Sequence, residues 1–138
     1  MSLKLYNSEQ NEINNLNDYI DTYHNGFTGG DYQVQLFLKA DNVDSIRYIN
    51  ISIEPILLGI GELVFHPSGW SIKLCYSSEQ PSEKEWNESP INDVLTIPDI
   101  TDTNYKSFWL RVYCPGYTKA IVQDNLLSFN LNYQIQAI

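Results

Sequence analysis

The sequence predicts an all-β protein with one domain, built as an antiparallel β-sandwich. The clearest evidence is residues 108–114, a run of strand-forming residues that ends at Pro115-Gly116. Side chains alternate between the two faces of a strand, so Trp109, Arg111 and Tyr113 share one face. The opposite face carries the apolar residues Phe108, Leu110, Val112 and Cys114. An apolar strand face has to be covered by a second layer, which favours a sandwich over a helical bundle.

Similar short runs recur along the chain and are separated by residues typical of turns. In chain order, the predicted strands are residues 3–6, 32–39, 47–54, 61–66, 70–76, 93–97, 108–114, 119–122 and 127–135. In the run 47–54, the period of two places Tyr48 on the outward face. The residues of that run expected to face inward are Ile49, Ile51 and Ile53.

The N-terminal region is predicted to be less regular than the rest of the domain. Residues 1–28 are expected to form a strand and an irregular arm of the same unit, and residues 29–138 the core of the sandwich. A helix over residues 8–20 is the alternative, because Ser8 could cap it and apolar residues recur there at helical spacing. The asparagines of this segment are poor helix formers and favour the irregular arm. Farther along, Pro81–Trp86 is predicted to form a single helical turn.

Composition narrows the class of partner. The chain has 138 residues, with eight Lys and Arg against 17 Asp and Glu, for a formal net charge of −9. A surface of this kind repels phosphate backbones, so we expect no nucleic-acid partner. No apolar run reaches the length of a signal peptide or a membrane span, so we expect no membrane partner and no secretion by a signal peptide.

No catalytic motif is visible, so we expect no enzyme activity, no catalytic residue and no cofactor. The two histidines, His24 and His66, stand in no motif with a nucleophile or a metal ligand. Cys75 and Cys114 are predicted to point to opposite faces of their strands and to remain free thiols.

Acidic residues in the turns raise the question of a calcium site. Carboxylate oxygens bind Ca²⁺, and turns at the ends of a sandwich could gather several of them. Acidic residues also populate turns because they hydrogen-bond their own backbone, and none of these turns matches an EF-hand loop. We therefore expect no metal site. The residues considered are Asp41, Asp44, Asp99, Asp102 and Asp124.

Trp109, Arg111 and Tyr113 are the candidate interface residues. A guanidinium beside two aromatic rings fits cation–π stacking, and Trp, Tyr and Arg are enriched at interface hot spots. Two other interpretations stay open: ordinary cover of the sheet by the same chain, and a platform on which sugars stack. Trp86 and Tyr117 are candidate ligand-contacting residues in loops.

Taken in order, several motifs resemble small virion structural proteins of tailed bacteriophages, a family built on immunoglobulin-like sandwiches. The matching segments are Gly29-Gly30-Asp31, Trp70–Leu74, Ser78–Trp86, Asp102–Tyr105 and Phe108–Gly116. The resemblance implies an immunoglobulin-like sandwich, and the strand pattern also admits a jelly-roll-like one.

The same resemblance implies a function. It points to a non-enzymatic capsid-decorating or tail-associated subunit, made in the host cytoplasm and located in the virion. Its expected partners are other virion proteins, in a homo- or hetero-oligomer. A carbohydrate- or calcium-dependent binding module is the alternative.

Overall fold

The fold is taken from a computed structural model of the chain. It describes residues 2–13, 20–25, 30–57, 71–91, 93–114 and 121–138, with backbone alone for 20–25, 56–57, 114 and 121–128. The predicted strand 61–66 and the residues His66, Trp70 and Tyr117 lie outside the described residues.

Nearly all regular structure in the described residues is β-strand, which confirms the predicted fold class. The elements are β1 (Leu3–Tyr6), β2 (Glu12–Ile13), β3 (Ile20–Asn25), β4 (Gly30–Ala40), β5 (Ile46–Leu57), β6 (Ser71–Cys75), α1 (Glu83–Glu88), β7 (Leu95–Ile97), β8 (Lys106–Cys114) and β9 (Ile121–Ala137). Within the ranges described, no helix has the length and apolar character needed to cross a membrane.

The strands form two antiparallel sheets that pack face to face. The five-stranded sheet has the order β2-β1-β4-β8-β6, and the four-stranded sheet has the order β3-β9-β5-β7. The longest pairing in the first sheet joins β4 to β8, from Gly30 opposite Cys114 to Leu38 opposite Lys106. In the second sheet β9 pairs with both β3 and β5.

The core lies between the sheets and is formed by the apolar face of each strand. Phe108 of β8 meets Phe129 of β9 edge to face, with ring centroids 6.2 Å apart, so one aromatic pair joins the two layers. Burial of an aliphatic or aromatic side chain of this kind stabilises a fold by roughly 1.5–3 kcal/mol. The other fully buried apolar side chains here include Leu36, Leu38, Ile51, Ile53, Leu110 and Val112.

Strand β5 does not keep the simple alternation that its sequence predicts. Tyr48 was expected to face outward, and this prediction is wrong, because the ring is fully buried. The pairing with β9 shifts between Ile49 and Ser52, and Asn50 has a φ of 51°. A β-bulge inserts one residue and reverses the inward phase of the strand, and asparagine tolerates the left-handed conformation at the insertion. The buried Tyr48 hydroxyl donates to the Asn42 carbonyl oxygen at 2.9 Å.

Two further segments are more regular than expected. Residues 121–122 of the predicted strand 119–122 and the whole predicted strand 127–135 belong to the single strand β9. Within the N-terminal region, β1 lies between β2 and β4 in the five-stranded sheet, and β3 pairs with β9 in the other. The turn between β1 and β2 is closed by the Asn7 side-chain oxygen, which accepts from the Glu9 and Asn11 amides at 2.9 and 3.0 Å. Asparagine side chains favour such turns over a helix.

Candidate binding face of the five-stranded sheet

The candidate site is built on the outer face of the five-stranded sheet, the side away from the core. Trp109, Arg111 and Tyr113 of β8 lie on this face, as the alternation predicts, because Phe108, Leu110 and Val112 are buried on the other. Strand register sets the neighbours of the outward residues across β4 and β6. The rows are Gln35–Trp109–Cys75, Gln33–Arg111–Lys73 and Asp31–Tyr113–Ser71.

Residues 80–91, which we call the strap, contact one half of this face. Helix α1 lies within the strap and begins with a capping box, in which Glu85 donates its amide to the Ser82 hydroxyl and Ser82 donates its amide to the Glu85 carboxylate. A capping box satisfies amide groups that the first helical turn leaves unpaired. The predicted helical turn at Pro81–Trp86 is therefore present, shifted to Glu83–Glu88.

Trp86 anchors the strap to the sheet. Its side chain is 0% exposed although it is separate from the main core cluster. The indole Nε1 donates to Gln33 Oε1 at 3.1 Å, and Lys73 Nζ donates to the Trp86 carbonyl at 2.9 Å. Gln80 Nε2 also donates to Gln33 Oε1, at 3.0 Å. A fully buried ring has no surface for a ligand. Trp86 therefore packs the strap against the sheet, and the prediction that it contacts a ligand is wrong.

Arg111 is the electrostatic part of the same anchor. Its guanidinium donates to Asp31 on β4 and, at 3.2 Å, to Glu83 on the strap. The hydrogen bond to the Asp31 carboxylate is the main reason that the pKa of Arg111 is raised. The guanidinium lies 5.8 Å from the centre of the Trp86 ring, where a cation–π contact is favourable. The aromatic partner of Arg111 is thus Trp86, where the sequence suggested Trp109 and Tyr113.

A cleft of about 290 Å³ opens beside the strap; we call it the strap cleft. Tyr113 and Ile91 are its exposed walls, at 40% and 59% exposure. Among the described residues, the lining consists of Asp31, Ser71, Lys73, Asn87, Ile91, Arg111 and Tyr113.

The other half of the outer face carries a cluster of three aromatic rings, which we call the aromatic face: Tyr6, Phe37 and Tyr105. Tyr105 packs edge to face against Tyr6 and Phe37, with ring centroids 5.4 and 5.6 Å apart. The Lys39 ammonium lies 5.6 Å from the centre of the Tyr105 ring. Tyr105 is 38% exposed and the other rings are half-buried.

Trp109 also lies on the outer face, and its buried indole N–H lacks a hydrogen-bond acceptor among the described residues. The amide nitrogen of its neighbour Gln35 donates to the Ser107 hydroxyl at 2.7 Å. A buried donor without an acceptor costs about 1–3 kcal/mol, and structural polar groups seldom carry that cost.

Sequence reasoning found Trp109 but missed Tyr6, Phe37 and Tyr105. Tyr6 follows the buried Leu5, and Phe37 lies between the buried Leu36 and Leu38. The alternation along each strand therefore predicts that both rings face outward. Their proximity could not be predicted in this way, because it depends on the pairing of Tyr6 with Phe37 across β1 and β4.

Two of the acidic residues considered for calcium, Asp41 and Asp102, have partners within the chain. Asp41 accepts from the Ser2 amide at 2.7 Å, and this bond is the main cause of the lowered pKa of Asp41. Asp102 pairs with Lys106 at 2.8 Å. In the part of the chain that the structure describes, no group of three or more His, Cys, Asp and Glu side chains could hold a metal ion. The side chains of His24 and Asp124 lie outside the described residues.

The reactivity of the free Cys75 thiol depends on the strap, because burial, together with the negative charge of Glu85 of the strap, raises the pKa of Cys75. A raised pKa leaves less thiolate and slows alkylation. In a Cys114→Ser background, we expect Arg111→Ala to loosen the strap and to speed iodoacetamide alkylation of Cys75 at pH 8 by at least about threefold.

The matched control for this prediction is Arg47→Ala. Arg47 lies on β5 of the opposite sheet and donates to Gln136 at 2.6 Å. Alkylation rates that are equal in the two arginine variants would show that Arg111 does not hold the strap over Cys75.

Comparison of the chain with protein-family models, with curated protein sequences and with solved structures gave no match.

Proposed function

We propose that this chain is a non-enzymatic structural protein of a bacteriophage particle, a capsid-decorating or tail-associated subunit that binds other virion proteins. The proposal rests on the sequence resemblance over residues 29–117 and on one observation, the aromatic face. A soluble monomer seldom leaves a cluster of aromatic side chains in contact with solvent unless the surface binds something.

The composition of the aromatic face suits a protein partner. Tyr, Trp and Phe are enriched in interfaces and dominate their hot spots. Tyr6, Phe37 and Tyr105 already hold each other edge to face. Rings that are ordered before binding lose little conformational freedom on association, so more of the contact energy appears as affinity.

The overall charge of the chain favours a protein over a nucleic acid as the partner. The net charge of −9 opposes contact with phosphate backbones. A standard interface buries about 800 Å² on each partner, which is an area comparable to one face of a small sheet. The partner is a virion protein, either another copy of the chain or a different subunit, and assembly in the host cytoplasm brings the chain into the particle.

The structure changes which substitution tests this proposal. Arg111→Ala would release the strap as well as alter the face, because Arg111 bonds both Asp31 and Glu83. Tyr105→Ala is cleaner, because the ring is 38% exposed and its loss leaves the core intact.

We expect Tyr105→Ala to reduce incorporation into purified particles at least about tenfold, since a hot-spot truncation costs 2 kcal/mol or more. Particles are grown with the tagged variant supplied in trans, and its copy number is measured by quantitative mass spectrometry. Ile135→Ala is the control, because Ile135 is 48% exposed on the opposite sheet. Incorporation of Tyr105→Ala equal to that of Ile135→Ala would remove the aromatic face from the proposal, and absence of the parent chain from particles would end it.

A further inference from the structure

We propose that the strap cleft binds a neutral saccharide unit, a binding function separate from docking through the aromatic face. The first reason is its charge balance. Two cations, Lys73 and Arg111, line the cleft, and two carboxylates, Asp31 and Glu83, bond Arg111. The local charges therefore cancel in a chain with a net charge of −9. A balanced site of this kind favours neither an anion nor a cation.

The second reason is the density of hydrogen-bonding groups. Lys73 uses one ammonium N–H for the Trp86 carbonyl, and an ammonium can donate two more. Ser71 and Tyr113 add hydroxyl groups, and Asn87 adds an amide that both donates and accepts. Adjacent sugar hydroxyls also donate and accept at short spacing, so a mixed set of this kind matches a polyol.

The third reason is the apolar wall. Tyr113 is 40% exposed and Ile91 is 59% exposed, and both line the cleft. A pyranose ring has an apolar C–H face that packs against an aromatic ring while its hydroxyls reach polar groups. Tyrosine suits this arrangement, since it combines an apolar body with a polar tip.

The polar groups are also held in place before a ligand arrives. Asp31 and Glu83 fix the Arg111 guanidinium, and the strap carbonyl of Trp86 fixes Lys73. Sites on rigid elements with supported side chains lose less freedom on binding. The volume of about 290 Å³ is at the lower end for small-molecule sites, so one sugar unit fits and the affinity is weak.

The test is an NMR titration of the ¹⁵N-labelled chain with defined glycosides. The probes are the methyl glycosides of glucose, galactose, mannose and N-acetylglucosamine, with glucuronate as the anionic and glucosamine as the cationic comparison. We expect at least one neutral glycoside to shift the amides of Lys73, Asn87 and Tyr113, with a Kd on the order of 1–10 mM.

Substitutions separate this site from the rest of the surface. Tyr113→Ala is expected to weaken binding about tenfold. Tyr76→Ala is the matched control, because Tyr76 has the same 40% exposure as Tyr113 and lies outside the cleft lining. If Tyr113→Ala does not fold, Ile91→Ser takes its place with the same expected loss.

Three results would overturn the inference: no amide shifts with any neutral glycoside up to about 100 mM, tighter binding of glucuronate or glucosamine, or wild-type affinity in Tyr113→Ala. The particle experiment uses Tyr105 and a different readout, so either proposal can fail without the other.

Discussion

Trp86→Ala is expected to lower the free energy of unfolding by about 3–5 kcal/mol, the range for truncating a fully buried tryptophan. The ring is 0% exposed, and its loss opens a void between the strap and the sheet. It also leaves Gln33 Oε1 without its bond from Nε1 and removes the ring beneath Arg111. Urea denaturation followed by circular dichroism measures the change.

Two further substitutions in helix α1 test whether the loss of stability comes from the buried Trp86 ring itself. Trp86→Phe keeps an aromatic ring in the space and loses only the hydrogen bond and part of the volume, so it should cost less than Trp86→Ala. Lys84→Ala, an exposed change on the same helix, should stay within about 0.5 kcal/mol of the parent. A Trp86→Ala variant as stable as Lys84→Ala would mean that the strap contributes nothing to the fold.

Phe129→Ala is expected to lower the free energy of unfolding by about 3–5 kcal/mol as well, for a different reason. Phe129 lies between the sheets and meets Phe108 edge to face. The truncation leaves a cavity at the junction of the two layers, where neither sheet can collapse without losing its own pairing. The same denaturation experiment measures it.

The control for Phe129 lies on the same strand. Ile135 belongs to β9 and is 48% exposed, so Ile135→Ala should change the free energy of unfolding by less than about 0.5 kcal/mol. Similar values for the two variants would contradict the placement of β9 across the core.

The sequence was sufficient to predict the class of fold because alternation is a local property. The burial of Phe108, Leu110 and Val112 follows from the period of two alone. The same holds for Leu36 and Leu38 of β4. The alternation in each strand identifies its apolar face, and covering those faces requires two layers.

The site was harder to predict because it depends on register and on one local irregularity. The phase of β5 reverses at Asn50, and nothing in the surrounding residues marks an asparagine as a bulge in place of an ordinary outward residue. Arg111 was expected to stack on its own strand, yet its partners are Asp31, Glu83 and Trp86, which are distant in the chain. The partners of Arg111 depend on the pairing of the strands and on the position of the strap, and neither can be read from the local sequence.

The central claim is that the strap buries Trp86 against the outer face of the five-stranded sheet while the aromatic face stays accessible to solvent. Hydroxyl-radical footprinting of the native chain with mass spectrometry tests this claim most directly. The account predicts rapid oxidation of Tyr105 and Tyr113 and strong protection of Trp86 relative to the guanidinium-unfolded chain. Oxidation of Trp86 at the unfolded rate, or protection of Tyr105 in the isolated monomer, would contradict it.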